Sequence, residues 1–160
     1  MTNRRNLLQL LMLGGAGAAL GGLPAFAAGY EVTHTEAEWR KLLSPAAYHI
    51  LREQGTEQPF TSPLLKEHRR GTFTCAGCAL PLFASNTKFD SGTGWPSFWQ
   101  PLPNAVLTTT DNSWLETRTE VHCRRCGGHQ GHVFNDGPKP TGLRYCINGV
   151  ALKFVAQTKS

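Results

Sequence analysis

Two cysteine pairs organise this chain: Cys75-Ala76-Gly77-Cys78 and Cys123-Arg124-Arg125-Cys126. Two residues between the thiols let one turn of backbone present both sulfurs to one ion, and two such pairs complete the tetrahedral all-sulfur site that suits zinc. Gly77 and Gly127 are expected to permit the tight turns. We predict one structural zinc ion that clips two distant segments together. Disulfides, or a redox dithiol in one pair, are the alternatives.

Short strands are expected around these pairs, because glycine and proline recur from Gly71 onward and helical periodicity disappears. A turn is expected at 111–113, and the last two strands form a pair around Gly149. The pattern predicts an antiparallel β domain with small helices in front. The predicted strands are 72–74, 105–110, 114–121, 143–148 and 151–155.

Two helices are predicted before the strands. Thr35-Glu36-Ala37-Glu38 has the form of a capping box, and Ser44-Pro45 is typical of a second helix start. The second helix is expected to stop at Gly55. Residues 59–63 then form an extended connection.

Residues 1–27 have the features of an export signal, with charged Arg4-Arg5, an apolar stretch to Leu23 and the cleavage pattern Ala25-Phe26-Ala27. The run Asn3–Leu8 resembles a twin-arginine signal. A retained membrane anchor is the alternative, although Gln9 and several glycines dilute the stretch. We expect export to the periplasm and one folded domain at 28–160.

The basic character of the chain is weak evidence for nucleic-acid binding. The net charge is +5, but without Arg4 and Arg5 there remain 14 basic and 11 acidic side chains. Four thiolates on one Zn²⁺ would remove two further positive charges. We expect a monomer that binds no nucleic acid and does not stay inserted in a membrane after signal cleavage.

The fifth cysteine lies in Arg144-Tyr145-Cys146-Ile147-Asn148. On a strand, Arg144, Cys146 and Asn148 share one face, while the other two side chains can pack into a core. The arginine is expected to favour the thiolate and to lower the pKa of the thiol. An inert buried cysteine is the alternative.

Two histidines follow the second cysteine pair directly, in Gly127–Phe134. His129 and His132 could activate a thiol or donate a proton, although they could equally be metal ligands or surface residues. Asp136 could orient a histidine or bind water. The aromatic residues of Ser91–Trp99 could pack in the core or wall a small apolar pocket.

Together these motifs resemble the B-type methionine-R-sulfoxide reductases. The resemblance covers residues 35–155 and implies two antiparallel β-sheets with short N-terminal helices, stapled by zinc. It implies thiol-dependent reduction of methionine-R-sulfoxide, protein-bound or free, in repair of oxidative damage. The matching stretches are Lys88–Gly92, Gly94–Phe98, Gly128–Phe134 and Thr141–Asn148, and both CxxC pairs.

The resemblance also implies roles for single residues. Cys146 attacks the sulfoxide sulfur and becomes a sulfenic acid. His129 and His132, with water, protonate the leaving oxygen, and Asn148 helps to orient the substrate. The substrate-binding positions are Trp95, which receives the S-methyl group, and the supporting residues Arg144 and Asp136.

The sequence departs from many relatives at Thr93, where those relatives have a resolving cysteine. With four cysteines on zinc, no internal thiol is left to reduce oxidised Cys146. We therefore expect an external reductant, either a thioredoxin-like protein or a small thiol.

Three other functions are compatible with parts of the sequence. A zinc-ribbon-like binding module would explain the CxxC pairs but gives Cys146 no function. A general thiol–disulfide oxidoreductase would use one CxxC pair, and an inactive relative would follow from the change at Thr93. Zinc stoichiometry and turnover with a small thiol distinguish them.

Overall fold

The computed structural model describes residues 29–113 and 116–158, so the predicted export signal lies outside the described residues. In the described part, no helix is long and apolar enough to cross a membrane. Trp114 and Leu115, the first two residues of the predicted strand 114–121, also lie outside it.

Both predicted helices are present. Helix α1 (Glu36–Leu42) begins at the capping box, where the Thr35 hydroxyl accepts from the Glu38 N–H and the Glu38 carboxylate accepts from the Thr35 N–H. Helix α2 (Pro45–Glu53) begins at Ser44, whose hydroxyl accepts from the Ala47 N–H at 3.2 Å.

The end of α2 differs from the prediction. Gln54, not Gly55, takes the left-handed conformation, with φ of 56°. Gly55 is needed for a different reason, because the His49 ring occupies the space that a Cβ would fill. The predicted extended connection at 59–63 is also interrupted by a turn, in which Phe60 has φ of 66°.

The strands of the described residues form two antiparallel sheets, which confirms the mainly β fold. The smaller sheet has the order β2-β1-β9, and the larger has the order β3-β4-β8-β7-β6-β5. Their bounds are β1 Gly71–Cys75, β2 Pro81–Ala84, β3 Lys88–Phe89, β4 Ser97–Phe98, β5 Val106–Asp111, β6 Arg118–Cys123, β7 His129–Phe134, β8 Arg144–Ile147 and β9 Leu152–Ala156.

The last two strands do not pair with each other, contrary to the expectation of a pair around Gly149. Strand β8 lies between β4 and β7, whereas β9 joins β1 in the other sheet. A 3-10 turn at Gly149–Ala151 connects them. The Glu57 carboxylate accepts from the N–H groups of Gly149 and Val150, at 2.6 and 2.9 Å, so this turn is held open rather than closed into a hairpin.

Aromatic rings fill the core against which β8 packs. Phe83 and Phe98 stack with ring centroids 4.3 Å apart, and Phe73 meets Phe98 edge-on at 5.0 Å. All three are fully buried, as is Ile147 of β8. Tyr145 of β8 contacts this group, with its ring centroid 5.9 Å from that of Phe83. Such ring pairs are favourable and geometrically specific, so they help to position β8.

Candidate functional site

The four paired cysteines form one cluster, in agreement with the predicted zinc site of four cysteines. Their sulfurs all lie within 4.8 Å of one another. Sγ–Sγ distances are 3.7 Å for Cys75 and Cys126 and 3.5 Å for Cys78 and Cys123. A tetrahedron with Zn–S bonds of about 2.3 Å has edges of about 3.8 Å, and a disulfide would need about 2.05 Å. The donor set and its spacing therefore fit a structural zinc ion.

The two CxxC turns have the same backbone geometry. In each, the residue after the second cysteine is left-handed, with φ of 58° at Ala79 and 68° at Gly127. Its N–H donates to the carbonyl of the first cysteine, at 2.9 and 2.8 Å. The prediction was correct for Gly127 but wrong for Gly77, because the tight turn is made by Ala79.

The cluster connects the two sheets. Cys75 ends β1 in the smaller sheet, and Cys123 ends β6 in the larger one. Fully buried Gln130 of β7 donates from Nε2 towards the Cys75 sulfur at 3.6 Å, and its carbonyl accepts from the Asn148 side chain at 3.1 Å. Gln130 therefore links the cysteine cluster to Asn148, the residue that follows β8.

Cys146 lies on β8 with the alternation that the sequence predicted. Ile147 is buried in the core and Tyr145 packs against it, so Cys146 faces the opposite side. There it lines a cavity of about 120 Å³. The lining residues are Thr56, Trp95, Arg118, Gly131, His132, Phe134, Cys146 and Asn148.

The pKa of the Cys146 thiol is raised, whereas the sequence suggested a lowered one. Burial is the largest cause, and it outweighs the Thr93 hydroxyl and the Arg144 guanidinium, which both lower the pKa. Arg144 binds the Asp136 carboxylate through two bonds of 2.9 and 2.8 Å and stacks on the Phe134 ring at 4.4 Å. The Asp136 carboxylate thus partly compensates the charge of Arg144, and its own negative charge raises the pKa of Cys146.

Both predicted histidines lie on β7, each paired with a carboxylate. His132 is directly opposite Cys146 in the β7–β8 register. Its Nε2 lies 2.8 Å from Asp111 Oδ2, and His129 Nδ1 lies 2.8 Å from Glu120 Oε1. Burial lowers the pKa of His132, so it is mainly neutral at pH 7. The ring centroids are 5.4 Å apart, and buried His129 Nε2 has no hydrogen-bond partner among the described residues.

A chain of hydroxyl groups reaches Cys146 from strand β4. Ser97 is directly opposite Cys146 in the β4–β8 register, and its Oγ lies 2.7 Å from Ser91 Oγ. Ser91 Oγ lies 2.9 Å from Thr93 Oγ1, which lies 3.7 Å from Cys146 Sγ. Thr93 therefore places a hydroxyl against the Cys146 sulfur, at the position where a resolving thiol would stand.

The predicted substrate residues occupy two places. Trp95 lines the cavity, and its indole N–H donates to the Glu57 carbonyl at 3.0 Å. Asn148 also lines it, with Oδ1 accepting from the Glu57 N–H at 2.9 Å. Arg144 and Asp136 do not line the cavity but bind each other beside Cys146.

The sequence reasoning missed several residues of the site. Asp111 was assigned to a turn, yet it ends β5 and binds both His132 and Arg118. Glu120 lies opposite His132 in the β6–β7 register, and its carboxylate pairs with His129. This contact can be recognised only once the two strands are aligned. No sequence pattern pointed to Glu57, because it lies in a loop far in sequence from the turn after β8 that it binds. Thr56, Arg118, Gly131 and Phe134 were also missed as lining residues.

Known proteins resemble this chain over most of its length. Residues 43–156 match the family described as the SelR domain. A protein named peptide methionine sulfoxide reductase MsrB from Leptospira interrogans is 54% identical over 126 residues, covering 78% of this chain and 96% of the relative. The protein of that name from Thiobacillus denitrificans is 56% identical over 121 residues, 75% of this chain and 92% of the relative.

One solved structure, of a Mis18 'Yippee-like' domain, covers 57% of this chain and 100% of its own. Its TM-score of 0.44 and sequence identity of 19% are too low to bear on the fold or the function.

Proposed function

This chain belongs to the SelR-domain family of peptide methionine-R-sulfoxide reductases, and we propose that Cys146 is the nucleophile with which it reduces methionine-R-sulfoxide to methionine. One observation supports this assignment above the others. Cys146 lies in a small cavity, directly opposite His132, with Trp95 in the wall. The cavity thus combines a sulfur nucleophile, a proton-transfer group and an apolar surface.

The reaction transfers the sulfoxide oxygen to Cys146. The sulfur of Cys146 attacks the sulfoxide sulfur, the S–O bond breaks, and the oxygen ends on Cys146 as a sulfenic acid. The methionine sulfur gains two electrons and the cysteine sulfur loses two. The thiol proton remains with the transferred oxygen, so the step needs no other reductant.

His132 moves that proton. The thiol pKa is raised and the His132 pKa is lowered, so both groups are neutral in the free protein. His132 accepts the thiol proton as attack begins, and Asp111 at Nε2 stabilises the imidazolium. The proton then passes to the sulfoxide oxygen, which leaves only when protonated. His129 Nε2 binds a water or the oxygen itself.

The remaining side chains select and orient the substrate. The Trp95 ring contacts the S-methyl group. With the methyl group on this ring, the two epimers point the sulfoxide oxygen in different directions, so the site can distinguish them. Asn148 is fixed by bonds to Glu57 and Gln130, so it presents a constant surface to the substrate. Arg144, held by Asp136, supports the thiolate as it forms. All of these groups come from one chain, so the proposed site needs no residue from a second copy.

Turnover of separated epimers tests this proposal. With dithiothreitol as reductant, residues 28–160 are expected to form methionine from the R epimer and to leave the S epimer unchanged. Chromatography of free methionine is the measurement. Consumption of both epimers at similar rates would contradict the role of Trp95, and turnover of neither would contradict the assignment.

An external thiol completes the cycle. Thr93 Oγ1 occupies the place beside Cys146 Sγ, and the other four cysteines belong to the metal cluster. Two external thiols therefore reduce the sulfenic acid, forming one disulfide and one water. A thioredoxin-like protein or a small thiol can supply them.

Intact mass after one equivalent of R-sulfoxide, without reductant, tests this route. The wild type is expected to gain one oxygen on Cys146. In the matched variant Thr93→Cys the new thiol lies next to Cys146, so that protein is expected to lose two hydrogens instead. A disulfide between Cys146 and a cysteine of the metal cluster in the wild type would contradict an external reductant.

We also propose that the chain is exported by the twin-arginine route to the periplasm. The charged, apolar and small-residue segments of residues 1–27 support this. That route carries folded proteins, so zinc can be bound before export. Replacing Arg4 and Arg5 together by lysine keeps the charge but is expected to retain the protein in the cytoplasm. Unchanged recovery from the periplasmic fraction would contradict the route.

A further inference from the structure

A second cavity shares the Trp95 side chain with the cavity that contains Cys146. Its volume is about 320 Å³. Its rim carries Phe60, Lys66, His68, Lys88 and Asp90. Nothing in the reaction described above uses these side chains, so the cavity needs a separate explanation.

The catalytic cavity is too small for a whole substrate. It measures about 120 Å³, and a cavity of about 150 Å³ holds a group the size of benzene. The end of one methionine sulfoxide side chain fits there. The backbone of a protein substrate and its neighbouring residues must therefore lie outside, and a chain that leaves across Trp95 reaches the second cavity.

Phe60 is placed for contact with such a chain. Its side chain is 70% exposed, so core packing does not explain its position. Its φ of 66° is unfavourable for a residue with a bulky side chain, and such backbone strain clusters at binding sites. The Phe60 N–H donates to the Gly94 carbonyl at 2.7 Å, and Gly94 has no room for a Cβ because Pro59 and Phe60 occupy that space. The backbone of Phe60 is thus held against Gly94, the residue that precedes Trp95.

The charge around this cavity is mainly positive. Lys66 is exposed, and Lys88 donates from Nζ to the Leu65 carbonyl at 3.0 Å. Asp90 is the acidic group on the rim. An apolar ring beside cations favours a peptide with apolar and acidic residues.

We propose that this second cavity binds the polypeptide segment next to an oxidised methionine in a protein substrate. An apolar residue of that segment packs on Phe60, and an acidic residue lies near Lys66. This inference rests on the proposed function, since it extends the same site.

Kinetics with short peptides test the inference. One peptide has leucine and glutamate on both sides of methionine-R-sulfoxide, and the other has glycine and lysine. For the wild type, kcat/KM is expected to be about tenfold higher for the first peptide. Phe60→Ala is expected to lower kcat/KM for that peptide about fivefold relative to free methionine-R-sulfoxide. Lys66→Glu is expected to remove or reverse the preference for glutamate.

Leu42→Ala is the matched control. Leu42 is also an exposed apolar side chain, at 61%, but it lies on α1 away from both cavities. For this variant, the ratio of kcat/KM for the leucine–glutamate peptide to kcat/KM for free methionine-R-sulfoxide should equal that of the wild type. Equal ratios for Phe60→Ala, Lys66→Glu and the wild type would overturn the inference while leaving the reductase intact. Absence of turnover with free and peptide substrates alike would instead overturn the proposed function.

Discussion

Replacing Cys146 with serine is expected to lower the rate of methionine formation from methionine-R-sulfoxide by about a thousandfold or more. A serine hydroxyl is a much weaker nucleophile than a thiol, and it cannot form the sulfenic acid that accepts the oxygen. His132 cannot compensate, because a serine hydroxyl is far less acidic than a thiol and gives up its proton much less readily. The measurement is the initial rate with the R epimer and dithiothreitol.

The same substitution should leave the fold intact. Cys146 does not belong to the metal cluster, so the variant is expected to keep one zinc per chain and the thermal unfolding of the wild type. Tyr145→Phe is the matched control, because Tyr145 lies on the opposite face of β8 and packs against the core. It should retain activity. Substantial turnover by Cys146→Ser would move the nucleophile to another residue.

Removal of one cluster cysteine is expected to have the largest effect on stability. Cys123 is fully buried at the end of β6, and the cluster joins that end to β1 in the other sheet. Cys123→Ser should lose the metal and at least about 3 kcal/mol of the free energy of unfolding, since zinc binding in small domains is coupled to folding. Metal analysis and urea unfolding measure the two effects.

Activity should fall together with the metal. Gln130 donates towards the Cys75 sulfur and holds Asn148 through its carbonyl, so loss of the cluster also releases a wall of the catalytic cavity. Comparison with Cys146→Ser separates the roles, because that variant loses turnover but keeps zinc. A metal-free Cys123→Ser protein with wild-type stability and turnover would contradict a structural role for the cluster.

Local signals in the sequence were sufficient where neighbouring residues determine the structure. The capping box at Thr35 and the pair Ser44-Pro45 each start a helix through contacts within one turn. The CxxC spacing correctly predicted the cysteine cluster. The alternation of side chains along β8 correctly predicted that Cys146 faces away from the core. The resemblance to a family then supplied roles that spacing could not.

Features that depend on distant residues escaped prediction. The turn between β8 and β9 is bound by Glu57, which lies more than ninety residues earlier in the sequence, and β9 pairs with β1, which is also distant in the sequence. Asp111 and Glu120 meet the histidines only through strand register. Whether the pKa of Cys146 is raised or lowered depends on how deeply the thiol is buried. Arg144 lowers this pKa, and Asp136 opposes that effect.

The interior position of β8 has a consequence for electron supply. Strand β8 is paired with β4 on one side and β7 on the other, so its backbone cannot swing outward to deliver an oxidised sulfur to a remote partner. The sulfenic acid remains inside a narrow cavity until a donor enters. A small dithiol needs only to insert one thiol arm, whereas a protein donor must present its thiol on a protruding tip. The fold therefore acts as a sieve for reductants as well as for sulfoxides.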